Sequence, residues 1–153
     1  MVLSTDRLRL RHFNCDDLIA LHRIWSDPAT IWWGAITSLD ESRRLLSRAI
    51  ERGWLAVEHA GIVVGDVFIR PSKHDADALE LGYHFVSTEW GKGFATEACR
   101  AVLATVSSRR VQAAIVPDNF RSRRVATKLG MTIVGQVMEA GLLHDLWEVR
   151  PVG

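Results

Sequence analysis

Apolar residues along the chain switch between two repeats. Leu8 and Leu10 alternate with Arg7, Arg9 and Arg11, the period of two expected of a strand with one buried and one wet face. Residues 2 to 12 therefore predict a first strand. Asn14 stands where a helix cap belongs, ahead of Leu18, Leu21, His22 and Trp25 at helical spacing, with Pro28 just beyond; this predicts a helix over about 15 to 26. Ser38 followed by Glu41 fits a capping box, after which Leu45, Leu46, Ala49 and Ile50 recur until Gly53. "WLAVEH" and "IVVGDVFI" flank Ala60-Gly61 and predict an antiparallel hairpin, followed by a strand "LELGYHFV".

From Phe94 the period lengthens again. Ala95, Ala98, Cys99, Val102 and Val106 form one helical stripe, and the apolar strand "VQAAIV" follows. Asn119 caps a further helix bearing Ser122, Val125, Ala126 and Leu129 on one face, and two more strands finish the chain. Strands grouped apart from helices indicate a mixed α/β (α+β) class. No repeat or Pro/Gly-rich linker interrupts the pattern, so residues 1–153 read as one domain.

Composition narrows the function classes. Nineteen basic against eighteen acidic residues leave a formal charge of +1, which argues against a nucleic-acid or anionic-membrane surface. Cys15 and Cys99 match no metal spacing and no disulfide framework. The charged "MVLSTDRLRLRHF" lacks the apolar core of a signal peptide, and no run is long enough to span a bilayer. The expectation is a cytoplasmic protein without a bound metal.

The segment "STEWGKGFATEA", Ser87 to Ala98, places a glycine turn between a strand and a helix. Such a junction exposes unpaired backbone N–H groups beside the positive end of the helix dipole, a natural seat for a phosphate. Gly91 and Gly93 allow close ligand approach, and Lys92 adds a positive charge. A P-loop is excluded, because Phe94 and Ala95 stand where Lys and Ser or Thr are needed. The dinucleotide fingerprint fits poorly: its third glycine falls on Thr96, and its acid falls near Arg110 and Val111. An NADP-dependent oxidoreductase is thereby the weakest alternative, and coenzyme A the third reading.

The residues "ELGYHFVSTEWGKGFATEA" resemble motif A of the GNAT acetyltransferase superfamily. "TDRLRLRHF" resembles the opening strand of the branch containing the ribosomal-protein N-terminal acetyltransferases (RimJ/RimL type). "VPDNFRSRRVATKLGM" is similar to that branch's asparagine helix and following strand, and "HDLWEV" to its final strand. The resemblance implies a GNAT fold, a central, mostly antiparallel twisted sheet of about seven strands flanked by about four helices. It also implies direct transfer of an acetyl group from acetyl-CoA to a primary amine in a ternary complex. The acceptor would be a protein N-terminus or a small-molecule amine, and a homodimer is compatible with exposed strand ends. The loop departs from the family pattern at its first position, where Trp90 replaces Gln or Arg. That replacement, with the missing family tyrosine described below, motivates a second reading, a non-catalytic acetyl-CoA sensor.

The resemblance also assigns candidate roles. Phe85, Val86, Trp90, Gly91, Lys92, Gly93, Phe94, Ala95, Thr96, Asn119 and Ser122 would hold the cofactor, with backbone N–H groups near Phe85 and Val86 serving the oxyanion. In a regular strand Glu80 and His84 share a face with Gly82, and both are candidate bases; Glu80 matches a motif acid and is preferred. A peptide α-amine titrates near about 8 and a lysine near about 10.4, so deprotonating the former at neutral pH is easier by roughly 3 kcal/mol. Many members place a tyrosine seven residues after the asparagine; here that residue is Ala126, the only tyrosine is Tyr83, and Ser122 becomes the candidate donor to the leaving thiolate. Trp32 and Trp33 of "TIWWG" lie where an acceptor wall is implied, either touching substrate or anchoring the loop to the core.

Overall fold

The computed structural model describes residues 2–151. Eight strands and four α-helices follow in the order β1 (Val2–Ser4), β2 (Leu8–His12), α1 (Leu18–Trp25), α2 (Leu39–Glu51), β3 (Leu55–His59), β4 (Ile62–Pro71), β5 (Ala78–Phe85), α3 (Phe94–Ala104), β6 (Arg110–Ile115), α4 (Phe120–Lys128), β7 (Thr132–Glu139) and β8 (Leu142–Val149). This is the mixed α/β class expected, with one mostly antiparallel eight-stranded sheet. The strand beyond the expected seven arises at the N-terminus, where residues 2 to 12 form a hairpin. The Thr5 N–H donates to the Leu8 carbonyl at 2.9 Å and the Leu8 N–H donates to the Thr5 hydroxyl at 3.1 Å, closing a turn that pairs Val2 with Arg11. The alternation survives the turn, with Leu8 and Leu10 buried.

The chain forms two compact units that interleave in sequence. The first holds the chain up to Phe68 together with Tyr83–Ala98; the second holds Ile69–Gly82 and the chain from Cys99 onward.

In the first unit β1, β2, β3 and β4 are successive antiparallel neighbours. Ala60 and Gly61, at φ 51° and 80°, make the β3–β4 connection, the left-handed pair that matches the twist of a two-residue hairpin. Asn14 caps a 3-10 turn over Cys15–Asp17 that leads into α1, in a capping box with Asp17. Buried Asp17 also receives two bonds from the Arg11 guanidinium, at 2.8 and 2.9 Å. Ser38 caps α2 by accepting the Glu41 N–H at 3.2 Å, but the Glu41 carboxylate returns to the Ser38 hydroxyl at 3.1 Å. Leu21 and Ile24 of α1 and Leu45, Leu46 and Ala49 of α2 bury the helical stripes, while Ile50 stays exposed.

In the second unit the strand order is β5-β6-β8-β7, and β5–β6 is its parallel pair, through Ala78↔Arg110, Leu79↔Val111 and Glu80↔Gln112. Val111, Ala113 and Ile115 are buried. So is Glu148, whose carboxylate accepts from Arg110, Gln112 and Arg150 at 2.7, 3.1 and 2.9 Å. Burial works against that charge, and the three donors outweigh it, holding the carboxyl below its ordinary range. Among the described residues no helix is long and apolar enough to cross a membrane.

Gly65 of β4 is the tightest backbone position. A Cβ there would stand 2.4 Å from Cδ1 of Phe85 and 2.7 Å from the His84 carbonyl oxygen. Overpacking a filled interior costs about 1–3 kcal/mol. Gly65→Ala is expected to lower unfolding free energy by at least that much in urea titration; an unchanged midpoint would show that the end of β5 yields freely.

Candidate active site

The Ser87–Ala98 segment lies wholly in the first unit. Gly91 and Gly93 both adopt φ 80°, a left-handed conformation costly for side-chain-bearing residues, and this turns the chain sharply into α3. The backbone N–H groups of Gly93 through Thr96 precede the first helical bond of α3, in which the Glu97 N–H donates to the Gly93 carbonyl at 3.1 Å. Four consecutive donors at a helix N-terminus are the arrangement that suits an anion.

The cations beside it are engaged with protein groups. Lys92 Nζ pairs with Glu89 at 2.6 Å, an exposed contact worth little in water. Arg7 donates to the Lys92 carbonyl at 2.7 Å, pairs with Glu97 at 2.7 Å and lies over the Phe94 ring, 4.7 Å from its centroid. Burial opposes the Glu97 charge, but Thr5, the Arg7 N–H and the Arg7 guanidinium outweigh it and hold the carboxyl below its ordinary range. Glu97 thus fixes the β1–β2 turn to the first turn of α3, where an acid suits the dipole.

Trp90 lacks the polar side chain of the family pattern but does not leave its position idle. Its indole N–H donates to the Phe85 carbonyl at 3.0 Å, and the Thr30 hydroxyl donates to the same oxygen at 2.8 Å. The end of β5 is therefore pinned from two loops. The Val86 N–H donates to the Val64 carbonyl at 3.0 Å, so it is not the free oxyanion donor that the strand-end reading anticipated.

His84 and Asp66 form the chemically loaded pair of this unit. Asp66, on β4, has no exposed surface. One of its oxygens lies 2.8 Å from His84 Nδ1 and the other accepts from the Trp25 indole at 2.8 Å. A carboxylate only accepts, so Nδ1 carries a ring proton, and in the neutral imidazole Nε2 holds the lone pair. His84 keeps 12% of its side chain exposed. Trp25 and Trp33 pack on its ring at centroid distances of 4.5 and 5.7 Å.

The remaining sequence candidates lie in the second unit. Glu80 is buried and accepts from Arg70 Nε at 2.8 Å. Both Glu80 and Leu81 are buried, so the strict alternation read through β5 breaks there. Asn119 caps α4 by accepting the Ser122 N–H at 3.2 Å. Ligand atoms of His74, Glu80 and Glu139 lie within 4.8 Å of one another. They can meet a cation, but Arg70 already neutralises Glu80 and Lys73 stands 3.6 Å from Glu139, so the group reads as an ion-pair network. The Tyr83 hydroxyl, in the first unit, is buried.

The model of the acetyltransferase (GNAT) domain matches residues 7–132. The chain belongs to the GNAT acetyltransferase family. The protein YkkB of Bacillus subtilis strain 168 is 31% identical over 144 residues, covering 84% of each chain. A GNAT-family acetyltransferase from Bacillus anthracis has the same fold at 22% identity, with a TM-score of 0.85 over 98% of both chains. RimL, a ribosomal L7/L12 α-N-protein acetyltransferase solved with coenzyme A, aligns at 20% identity with a TM-score of 0.78 over 97% of this chain and 96% of its own. Family membership makes the protein an acetyl-CoA-dependent acetyltransferase.

In this GNAT enzyme the residues missed by sequence reasoning are Asp66 and Asp27. Asp27 accepts from the Ser87 hydroxyl at 2.7 Å, the Ser87 N–H at 3.1 Å and the Ala29 N–H at 3.0 Å, tying the 27–34 loop to the turn before the glycines. Its only sequence signal was an Asp-Pro pair after a helix.

The Ser87 hydroxyl is the chief reason the Asp27 carboxyl is held below its ordinary range. A depressed carboxyl adds stability above its unfolded pKa and loses it as pH falls through its folded value. Asp27→Asn is therefore expected to cost about 1 kcal/mol near neutral pH. The melting-temperature gap to wild type should close below about pH 4; a gap independent of pH would rule out a charge-dependent latch.

Proposed function

We propose that this GNAT domain transfers the acetyl group of acetyl-CoA to a primary amine, with Nε2 of His84 as general base and Asp66 as the positioning residue. The observation that carries the mechanism is the buried Asp66 carboxylate held between His84 Nδ1 and the Trp25 indole. The amine nitrogen attacks the thioester carbonyl, the new N–C bond forms as the C–S bond breaks, and the amine proton passes to Nε2. The amides from Gly93 to Thr96 at the start of α3 support diphosphate binding, as does the coenzyme A in the RimL relative. Gly91, Lys92, Gly93, Phe94, Ala95 and Thr96 would form that seat, and Phe85 and Trp90 its support.

The geometry favours His84 over Glu80 as the base, because Glu80 is engaged by Arg70. The roles of Asn119 toward the cofactor and of Ser122 toward the leaving thiolate rest on the resemblance of residues 116 to 131 to the branch's asparagine helix. The acceptor class spans a protein α-amine, as the name of the RimL relative suggests, and small amines. The family match takes in residues of both units, which supports reading 1–153 as one catalytic domain. Free thiols at Cys15 and Cys99 support a reducing, cytoplasmic setting. Exposed Ile133, Val134 and Met138 on β7, the last strand of its sheet, support a homodimer.

Acetyl-CoA is expected to bind wild type and His84→Gln with similar affinity by calorimetry, while His84→Gln lowers kcat by about a hundredfold or more. Asp66→Asn should lower kcat with little change in KM, folding being checked by near-UV circular dichroism. Absence of acetyl-CoA binding would overturn the function; full activity of His84→Gln would overturn the base.

A further inference from the structure

The aromatic surroundings of His84 say more about the acceptor than family membership does. Around the imidazole stand Trp25 at 4.5 Å, Trp33 at 5.7 Å and Phe68 at 6.3 Å between ring centroids. Trp54 backs this layer, stacked on Trp25 at 5.9 Å and on Phe68 at 5.0 Å. Trp32 and Trp33 meet edge-to-face at 5.5 Å, and Trp33 meets Trp25 edge-to-face at 6.2 Å. The wall therefore continues from the base outward through two indoles.

Those outer indoles share the holding of their loop with other residues. Ile31, 1% exposed, inserts into the core; its N–H donates to the Asp27 carbonyl at 2.8 Å, and Thr30 is bonded to Phe85. Trp32 and Trp33 remain 46% and 47% exposed on a segment fixed by other residues. Large apolar side chains kept open on an ordered loop beside a catalytic group mark a ligand surface.

Charge narrows the class. The carboxylate bonded to Trp25 and His84 within this layer is that of Asp66, which is fully buried with both oxygens engaged. One ammonium can approach the indole faces before His84 takes its proton. A second ammonium would find Asp66 already engaged by Trp25 and His84. The body attached to the amine must instead be flat and apolar to profit from edge and face contact with indoles.

Resting on the His84 reading above, we infer that the acceptor is a small monoamine with an aromatic body, an aryl-alkyl amine, lying against Trp33 and Trp32 with its nitrogen at His84 Nε2.

The test is kcat/KM from coenzyme A thiol release with 2-phenylethylamine, tryptamine, butylamine, spermidine and a ribosomal-protein N-terminal peptide. The two aryl-alkyl amines are expected to exceed the others by about tenfold or more. Trp33→Leu should shrink the phenylethylamine-to-butylamine ratio by about tenfold, and Trp33→Phe should keep most of it. Spermidine or the peptide as best substrate, or a flat response across the panel, would overturn the aryl acceptor and leave acetyl transfer standing. Acetyl-CoA binding without turnover of any amine would overturn the transfer reading itself.

Discussion

A carboxylate with no exposed surface must have its hydration replaced by donors, and Asp66 obtains them from two different elements. Trp25 reaches it from the end of α1 and His84 from β5, each at 2.8 Å, while Asp66 itself sits on β4. Losing either donor would strand a buried charge, so the requirement that stabilises this part of the first unit also fixes the imidazole in one tautomer and one orientation. Stability and proton chemistry converge on the same group, and the indole that satisfies the second oxygen is also the innermost ring of the aromatic wall.

The cofactor seat is built on a different logic. In the proposed seat the positive side chains have partners, Arg7 with Glu97 and Lys92 with Glu89, whereas the main-chain donors from Gly93 to Thr96 precede the first helical bond of α3. Attraction for a diphosphate thus resides in backbone direction and in the dipole of α3, set by two glycines at φ 80°. This explains how Trp90 is accommodated where the family carries Gln or Arg. The indole N–H saturates the Phe85 carbonyl and keeps the loop's mouth in register, a supporting role that leaves the amides free.

Features governed by near neighbours were readable before the structure. The caps at Asn14, Ser38 and Asn119, the Ala60-Gly61 hairpin and the glycine turn into α3 all follow from side-chain bonds or left-handed conformations within a few residues. The N-terminal hairpin was hidden because Thr5 and Asp6 interrupt the alternation without a glycine or proline to announce a turn. Asp66 was hidden because an acid inside "IVVGDVFI" reads as a solvent-facing position, yet Val63 through Val67 are all buried and both faces of β4 are covered there. The pairing of Glu80 with Arg70 depends on two strands meeting, and spacing within β5 carries no trace of it.

These two constructions evolve under different constraints. The proposed amide seat depends on its glycines and helix start more than on its side chains. The proposed acceptor wall ends in Trp32 and Trp33, on a loop that is also held by Ile31, Thr30 and Asp27. Acceptor preference can therefore drift at little cost in stability while the cofactor seat and the Asp66–His84 pair stay in place. In that proposal inner and outer aromatic residues differ in degree: Trp25 is bound to buried Asp66, whereas Trp33 meets Trp25 and His84 by ring contact and is half exposed.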